Sequence, residues 1–219
     1  AMDGAFLTHS QHMIKVPSQE AVNQFLPRFD LGKRVMHPDN PVSIAPQVNE
    51  DWVMELRRQN WEAAKRARAI IPEVYKSFND VFGPRYTNPF FDEFMCEDAE
   101  VVLVGLGAVK MPAQTAVRRM REQGKKVGYV NLRWFRPFPT EQLRATLGRM
   151  KGVGVIDRNF AHGSPDNGGI VVQDIRSALY PLAKRPVVTD FIGGLGGRDM
   201  SIADCTRMLE ITMDAAAGK

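Results

Sequence analysis

The chain has 219 residues, 44% of them apolar and 25% charged, with a formal net charge of +4. That composition describes a globular protein able to bury an ordinary core and excludes a disordered or low-complexity chain. Its apolar runs fall well short of the ~18–20 residues of a membrane span, and the two cysteines, Cys96 and Cys205, are too few and too far apart for a disulfide scaffold.

Residues 1–10 form a short apolar stretch with an Asp3-Gly4 turn. Pro17, Pro27, Pro38, Pro41 and Pro46 then interrupt residues 11–50, which keep apolar side chains such as Phe25, Phe29 and Leu31. Such a segment is too apolar for disorder and too broken for a helix, so an extended arm lying over another surface is expected. From Asp51, apolar residues recur every three or four positions (Val53, Leu56, Ala63, Ala67, Ile70, Val74, Phe78, Val81), which predicts a long helix. Pro72 should kink or divide it, and Gly83-Pro84 should end it. Residues 85–97, with Tyr86, Phe90, Phe91 and Phe94, read as an aromatic linker that docks.

From Asp98 the pattern becomes regular. Strand-like runs at 101–104, 127–131, 153–157 and 187–191 alternate with amphipathic segments at 112–123, 141–149, 170–179 and about 202–215. Thr140 is expected to cap the second of these helices, and Ser201 the last, with Asp204 closing a capping box. The fold class expected is α/β: a three-layer α/β/α domain with a parallel-rich open sheet, preceded by the arm and the long helical segment.

Few positions carry chemistry. Gly105-Leu-Gly107 follows a strand, but Lys110 stands where a dinucleotide fingerprint needs its third glycine, and Asn131 where it needs an acid. Gly193-Gly194-Leu-Gly196-Gly197 allows close backbone approach, and Arg198 beside Asp199 offers a fork for an anion or a partner carboxylate. Asp157-Arg158-Asn159 ends a strand at the edge where open α/β sheets place their sites, yet an Asp-Arg pair there is as often a structural knot. His162 follows without an evident acid or nucleophile. His9, His12 and His37 lack the further ligands that a metal site requires. The basic clusters (Lys65-Arg66-Ala67-Arg68, Arg118-Arg119, Arg121, Lys125-Lys126 and Arg133 through Arg136) lie mostly on polar faces of helix-like segments, so solvated surface rather than nucleic-acid binding is expected. No catalytic, cofactor-binding or metal-ligating residue is assigned. Asp157, Arg158, Gly194, Gly196, Gly197, Arg198 and Asp199 are candidate interface or structural residues.

Several of these motifs occur in the order of one family. Asp3-Gly4 through His9, His37-Pro-Asp-Asn-Pro41, Cys96-Glu-Asp-Ala-Glu-Val101, Arg133-Trp-Phe-Arg-Pro-Phe-Pro139, Asp157-Arg-Asn159 and Gly194-Leu-Gly-Gly-Arg-Asp199 resemble the later part of the alpha subunit of pyruvate:ferredoxin oxidoreductase. Ala5 departs from the aromatic residue usual there. The resemblance implies the end of a pyrimidine-type domain, arm and linking helices over 1–97, and a transketolase C-terminal-like domain over 98–219. It implies a cytoplasmic, multisubunit enzyme that uses thiamine diphosphate with magnesium, iron–sulfur clusters and coenzyme A to oxidise a 2-oxoacid, most simply pyruvate, reducing ferredoxin or flavodoxin. The family's alpha subunit begins upstream of residue 1, and its cofactor-gripping segments belong to that part. The chain is therefore expected to bind none of these cofactors alone, to be inactive in isolation, and to serve assembly with other subunits or domains. The alternatives are a lipoamide-linked 2-oxoacid dehydrogenase or transketolase-like subunit, and a non-catalytic anion- or nucleotide-binding module.

Overall fold

A computed structural model describes residues 8, 9, 11, 13–26, 28–32 and 34–219. The expectations placed on Asp3-Gly4, Ala5 and His12 lie outside the described residues. The chain divides into two compact units, one over Ile14–Thr87 and one containing Asn88–Lys219.

The first unit is built on two helices, α1 (Gln19–Phe25) and α2 (Glu50–Phe82). The helix α1 corrects the expectation of an arm extended throughout 11–50. Seven residues carry too little periodicity to be read from sequence, and a tertiary contact supplies the reason for the helix. Ser18 caps it, its hydroxyl accepting from the Ala21 N–H at 3.2 Å. Phe25 then sets its ring edge-on against Phe78 (5.5 Å) and Phe82 (5.6 Å) of α2. Pro72 lies inside α2 without dividing it. A helix that mostly faces solvent can lose one internal hydrogen bond there, because water takes the freed carbonyl. Gly83, at φ 86°, ends α2 as expected. Just beyond it, Asn79 turns the chain back: its Oδ1 accepts from the N–H groups of Arg85 and Tyr86, and its Nδ2 donates to the Tyr86 carbonyl.

The second unit is a five-stranded sheet with helices on both faces. Its elements are β1 (Phe91–Phe94), β2 (Val101–Leu106), α3 (Lys110–Glu122), β3 (Val127–Leu132), α4 (Thr140–Leu147), β4 (Gly152–Asp157), α5 (Ile170–Leu179), β5 (Val187–Ile192) and α6 (Ile202–Ala216). The strand order is β1-β3-β2-β4-β5, with β1 antiparallel to β3 and all other pairs parallel. The expected α/β class and parallel-rich sheet are thus present, and the sheet is mixed. Strand β1 lies inside the 85–97 stretch expected to be a docking linker and corrects that expectation. Its four residues are aromatic at both ends, and Phe91 is buried at 1% exposure as the strand adds to the β3 edge.

Helices α3 and α6 pack together on one face, α4 and α5 on the other. Strands β2 and β4 are covered on both sides, which explains why they read as continuous apolar runs instead of alternating ones. The glycines of β4 bring α6 close: a Cβ at Gly154 would stand 2.6 Å from both Leu103 Cδ2 and Thr212 Oγ1. Both cysteines are free and buried, and burial pushes each thiol up to about 11, so neither is a thiolate near neutrality.

Helix α4 starts at Thr140 with Pro139 at the capping position, so Thr140 is its first residue and not its cap. The capping box of α6 forms as expected. Ser201 Oγ accepts from the Asp204 N–H at 3.1 Å, and the Asp204 carboxylate accepts from the Ser201 N–H at 2.8 Å. Hydrogen bonds from Ser201 hold the Asp204 carboxyl below its ordinary range. Ser201→Ala is expected to cost about 1 kcal/mol, read as a lower urea midpoint at unchanged slope; an unchanged midpoint would deny the cap its role.

Candidate functional site at the carboxyl edge of the sheet

In an open α/β sheet the ligand crevice lies beyond the carboxyl ends of the strands, where successive connections leave in opposite directions. Here that point is between β2 and β4: the chain passes from β2 to β3 on one side, then returns to place β4 on the other. The Asp157 and glycine-loop signatures both lie along this edge.

Asp157 closes β4 and is 1% exposed. Its Oδ1 accepts from the Val171 N–H (3.1 Å) and from Asn159 Nδ2 (2.8 Å), while Oδ2 accepts from the Val172 N–H (3.0 Å). Asn159 Oδ1 takes the Ile170 N–H at 2.8 Å, and Asp190 Oδ2 takes the Gly169 N–H at 3.1 Å. Four consecutive N–H groups at the start of α5, the natural seat of a phosphate, are thus filled by the protein's own side chains. Burial pushes the Asp157 carboxyl above its ordinary range, and the nearby Asp190 charge adds to this, against the N–H donors that favour the ion.

The glycine loop is accounted for by backbone geometry. Gly194, Gly196 and Gly197 take φ of 72°, 64° and 84°, which side chains rarely adopt. Gly194 also fits against Arg158: a Cβ there would lie 2.9 Å from Arg158 Nε. The Gly193 N–H donates to the Asp157 carbonyl at 3.0 Å. The loops after β4 and β5 are therefore brought together through Asp157, Arg158 and Gly194. Gly196, Gly197, Arg198 and Asp199 stay exposed on the outer side. Gly105 lies inside β2, where a Cβ would meet Val109 Cγ1 at 2.8 Å and Tyr129 Oη at 3.0 Å, so that glycine makes room for packed side chains.

The arginines of the 132–139 stretch are likewise engaged. Arg133 Nη1 donates to the carbonyls of Asn88 and Pro89, and Nη2 pairs with Asp92, which also binds Lys110 Nζ at 3.0 Å. Although burial works against it, those two cations hold the Asp92 carboxyl below its usual range. Arg136 stacks 4.0 Å from the Phe135 ring and pairs with Asp174 of α5 at 2.8 Å. Beside this edge a cavity of about 490 Å³ lies between α3 and the start of α6, lined by Val109, Met111, Pro112, Met200 and Ile202, and its charged lining residue is Asp199. A diphosphate or magnesium-diphosphate group does not fit here. The N-termini of α5 and α6 are filled by acidic side chains, and the cavity presents an acid and no base. Among the described residues, no three His, Cys, Asp or Glu side chains converge as metal ligands.

Sequence reasoning missed Asp190 and Gly169 as parts of this knot. An available signal was an acid inside an otherwise apolar strand, Val187-Val-Thr-Asp-Phe-Ile192.

The arrangement defines an α/β domain whose ligand edge is occupied by its own carboxylates. Two family models match: "Pyruvate:ferredoxin oxidoreductase core domain II" over residues 99–205 and "Pyruvate flavodoxin/ferredoxin oxidoreductase, thiamine diP-bdg" (thiamine diphosphate-binding) over residues 1–76. Between them they account for most of the chain, and the chain belongs to the pyruvate:ferredoxin oxidoreductase family. Ketoisovalerate oxidoreductase subunit VorA of Pyrococcus horikoshii is 34% identical over 95% of this chain and 52% of its own length. Pyruvate synthase subunit PorA of Methanothermobacter thermautotrophicus is 34% identical over 96% and 52%. The chain spans about half the length of the curated relatives it matches. Among solved structures, a 2-oxoglutarate:ferredoxin oxidoreductase from Magnetococcus marinus is similar at 17% identity and a TM-score of 0.42, over 67% of this chain and 23% of that one.

Proposed function

We propose that the chain is the later part of the alpha subunit of a thiamine-diphosphate-dependent 2-oxoacid:ferredoxin oxidoreductase and that it serves assembly rather than chemistry. Residues 1–97 form the end of the pyrimidine-type domain with its arm and linking helices, and 98–219 the transketolase C-terminal-like domain. The whole enzyme, in the cytoplasm, oxidises pyruvate or a branched 2-oxoacid, passes the acyl group to coenzyme A and reduces ferredoxin or flavodoxin through iron–sulfur clusters held elsewhere. The observation that supports the scaffold role is the filled carboxyl edge: Asp157, Asn159 and Asp190 occupy the helix N-terminus that a phosphate-bearing ligand would use. The same observation weighs against a stand-alone nucleotide-binding module. No described helix is long and apolar enough to cross a membrane.

The purified chain, given thiamine diphosphate, magnesium, pyruvate or 2-oxoisovalerate, coenzyme A and a viologen dye, should give no turnover, whereas the complete enzyme containing it should. Turnover by the chain alone above the cofactor-only control would overturn the scaffold role. Transfer to lipoamide but not to coenzyme A in the complete enzyme would favour a lipoamide-linked dehydrogenase. Arg198 is exposed beside the glycine loop, where its planar fork can meet a carboxylate on a neighbouring subunit. Arg198→Ala in the complete enzyme is expected to weaken subunit association roughly tenfold, a loss of one fork, while the KM for the 2-oxoacid stays unchanged. A variant that assembles normally but loses 2-oxoacid or coenzyme A binding would place the loop at the active site instead.

A further inference from the structure

The apolar stripe of α2 is covered at one end and bare at the other. Near its C-terminus, Phe78 and Phe82 are covered by Phe25, and Tyr75 meets Tyr86 edge-on at 5.0 Å. Among the described residues the stripe faces solvent from residue 52 to residue 70: Trp52 is 62% exposed and Ile70 52%, with Val53 and Leu56 exposed between them and Val74 exposed beyond the buried Ile71. Of the 33 residues of α2, Ile71 is the one buried. Helices of globular proteins owe most of their stability to packing of such a face. A bare stripe of this length is an interface. Trp61 lies on another side of the helix, where it is closed by Arg58 at 4.7 Å and Lys65 at 3.7 Å.

Two observations say what covers the stripe. The thiamine diphosphate-binding family model runs over residues 1–76, so it ends where the bare stripe ends and the self-covered aromatic cluster begins. The relatives carry about as much chain again outside their match to this one. We infer that the Trp52–Val74 stripe of α2 is the docking surface for the remainder of the thiamine diphosphate-binding domain. The inference rests on the reading of this chain as part of a longer alpha subunit.

The test pairs the 219-residue chain with the part of Methanothermobacter thermautotrophicus PorA that lies outside its match to this chain. The two should co-elute in equal amounts. Trp52 emission, read in a Trp61→Phe/Trp134→Phe background, should shift to the blue and lose access to iodide, while Trp61 emission, read in a Trp52→Phe/Trp134→Phe background, should not change. Leu56→Glu with Ile70→Glu should weaken the complex at least tenfold while leaving the circular dichroism and melting of the chain unchanged, because both residues are already exposed. The inference is overturned if the parts do not associate, or if they associate indifferently to the double variant. It is also overturned if the chain alone forms a dimer by light scattering that the double variant abolishes, which would give the stripe to a second copy. A complex that depends on the stripe yet oxidises no 2-oxoacid in the complete enzyme would leave the docking surface standing and overturn the enzymatic reading. Full catalysis with the stripe indifferent does the reverse.

Discussion

Gly169→Ala should be among the most damaging single-methyl additions in the Asn88–Lys219 unit. Gly169 has an ordinary φ of −75°, so backbone strain is not the reason. The added Cβ would stand 2.1 Å from Asp157 Cγ and 2.3 Å from its Oδ2. Asp157 cannot swing away, because Val171, Val172 and Asn159 all hold it. Either α5 lifts from the sheet or the carboxylate leaves two N–H groups without acceptors. Overpacking alone costs about 1–3 kcal/mol, and loss of the cap adds about 0.5–2 kcal/mol. A fall in melting temperature on the order of 10 °C follows for a domain of this size. Calorimetry or a urea titration of the purified chain would measure it. A melting temperature within a degree of wild type would mean that Asp157 is not held as described.

Asp157→Ala is expected to cost about 2–5 kcal/mol, since the buried N–H groups of Val171 and Val172 lose their acceptor and each unsatisfied buried donor costs about 1–3 kcal/mol. Asp157→Asn keeps one carbonyl acceptor and should cost clearly less. The pair also carries a pH signature. The Asp157 carboxyl is pushed upward by burial and by Asp190, so the folded protein holds that proton more tightly than the unfolded chain does. Its contribution to stability is therefore complete below the unfolded value of about 3.9 and is lost as the pH rises through the higher folded value. Urea midpoints of wild type and Asp157→Asn, measured from about pH 4 to 7 across that carboxylate range, should show the wild-type advantage shrinking as pH rises. An advantage that grows with pH would reverse the sign and show the ion, not the acid, to be the form the fold prefers.

Much of the second unit was legible in the chain itself. Continuous runs such as Val101–Val104 and Val153–Ile156 gave strands covered on both faces, and Ser201 with Asp204 gave a helix start, because these signals are local: period, cap and glycine punctuation act within a few residues. The family was legible for the same reason, in short motifs kept in order. What depended on distant partners was not. Helix α1 exists because Phe25 meets Phe78 and Phe82 some fifty residues later, and β1 because Phe91–Phe94 finds the free edge of β3. Of the kink or division expected at Pro72, division does not occur, because a solvated helix can surrender one hydrogen bond.

The candidate site divides along the same line. Its residues could be named from sequence, since Asp157-Arg158-Asn159 and the glycine loop end strands of an α/β pattern. Their role could not, because Asp190 and the N–H groups of Gly169 to Val172 converge on that edge only when β4, β5 and α5 are packed together. A helix N-terminus attracts an anion wherever it occurs. Whether that anion is a ligand or the protein's own carboxylate is decided by which side chains the sheet register carries to it, and here strands β4 and β5 carry Asp157 and Asp190.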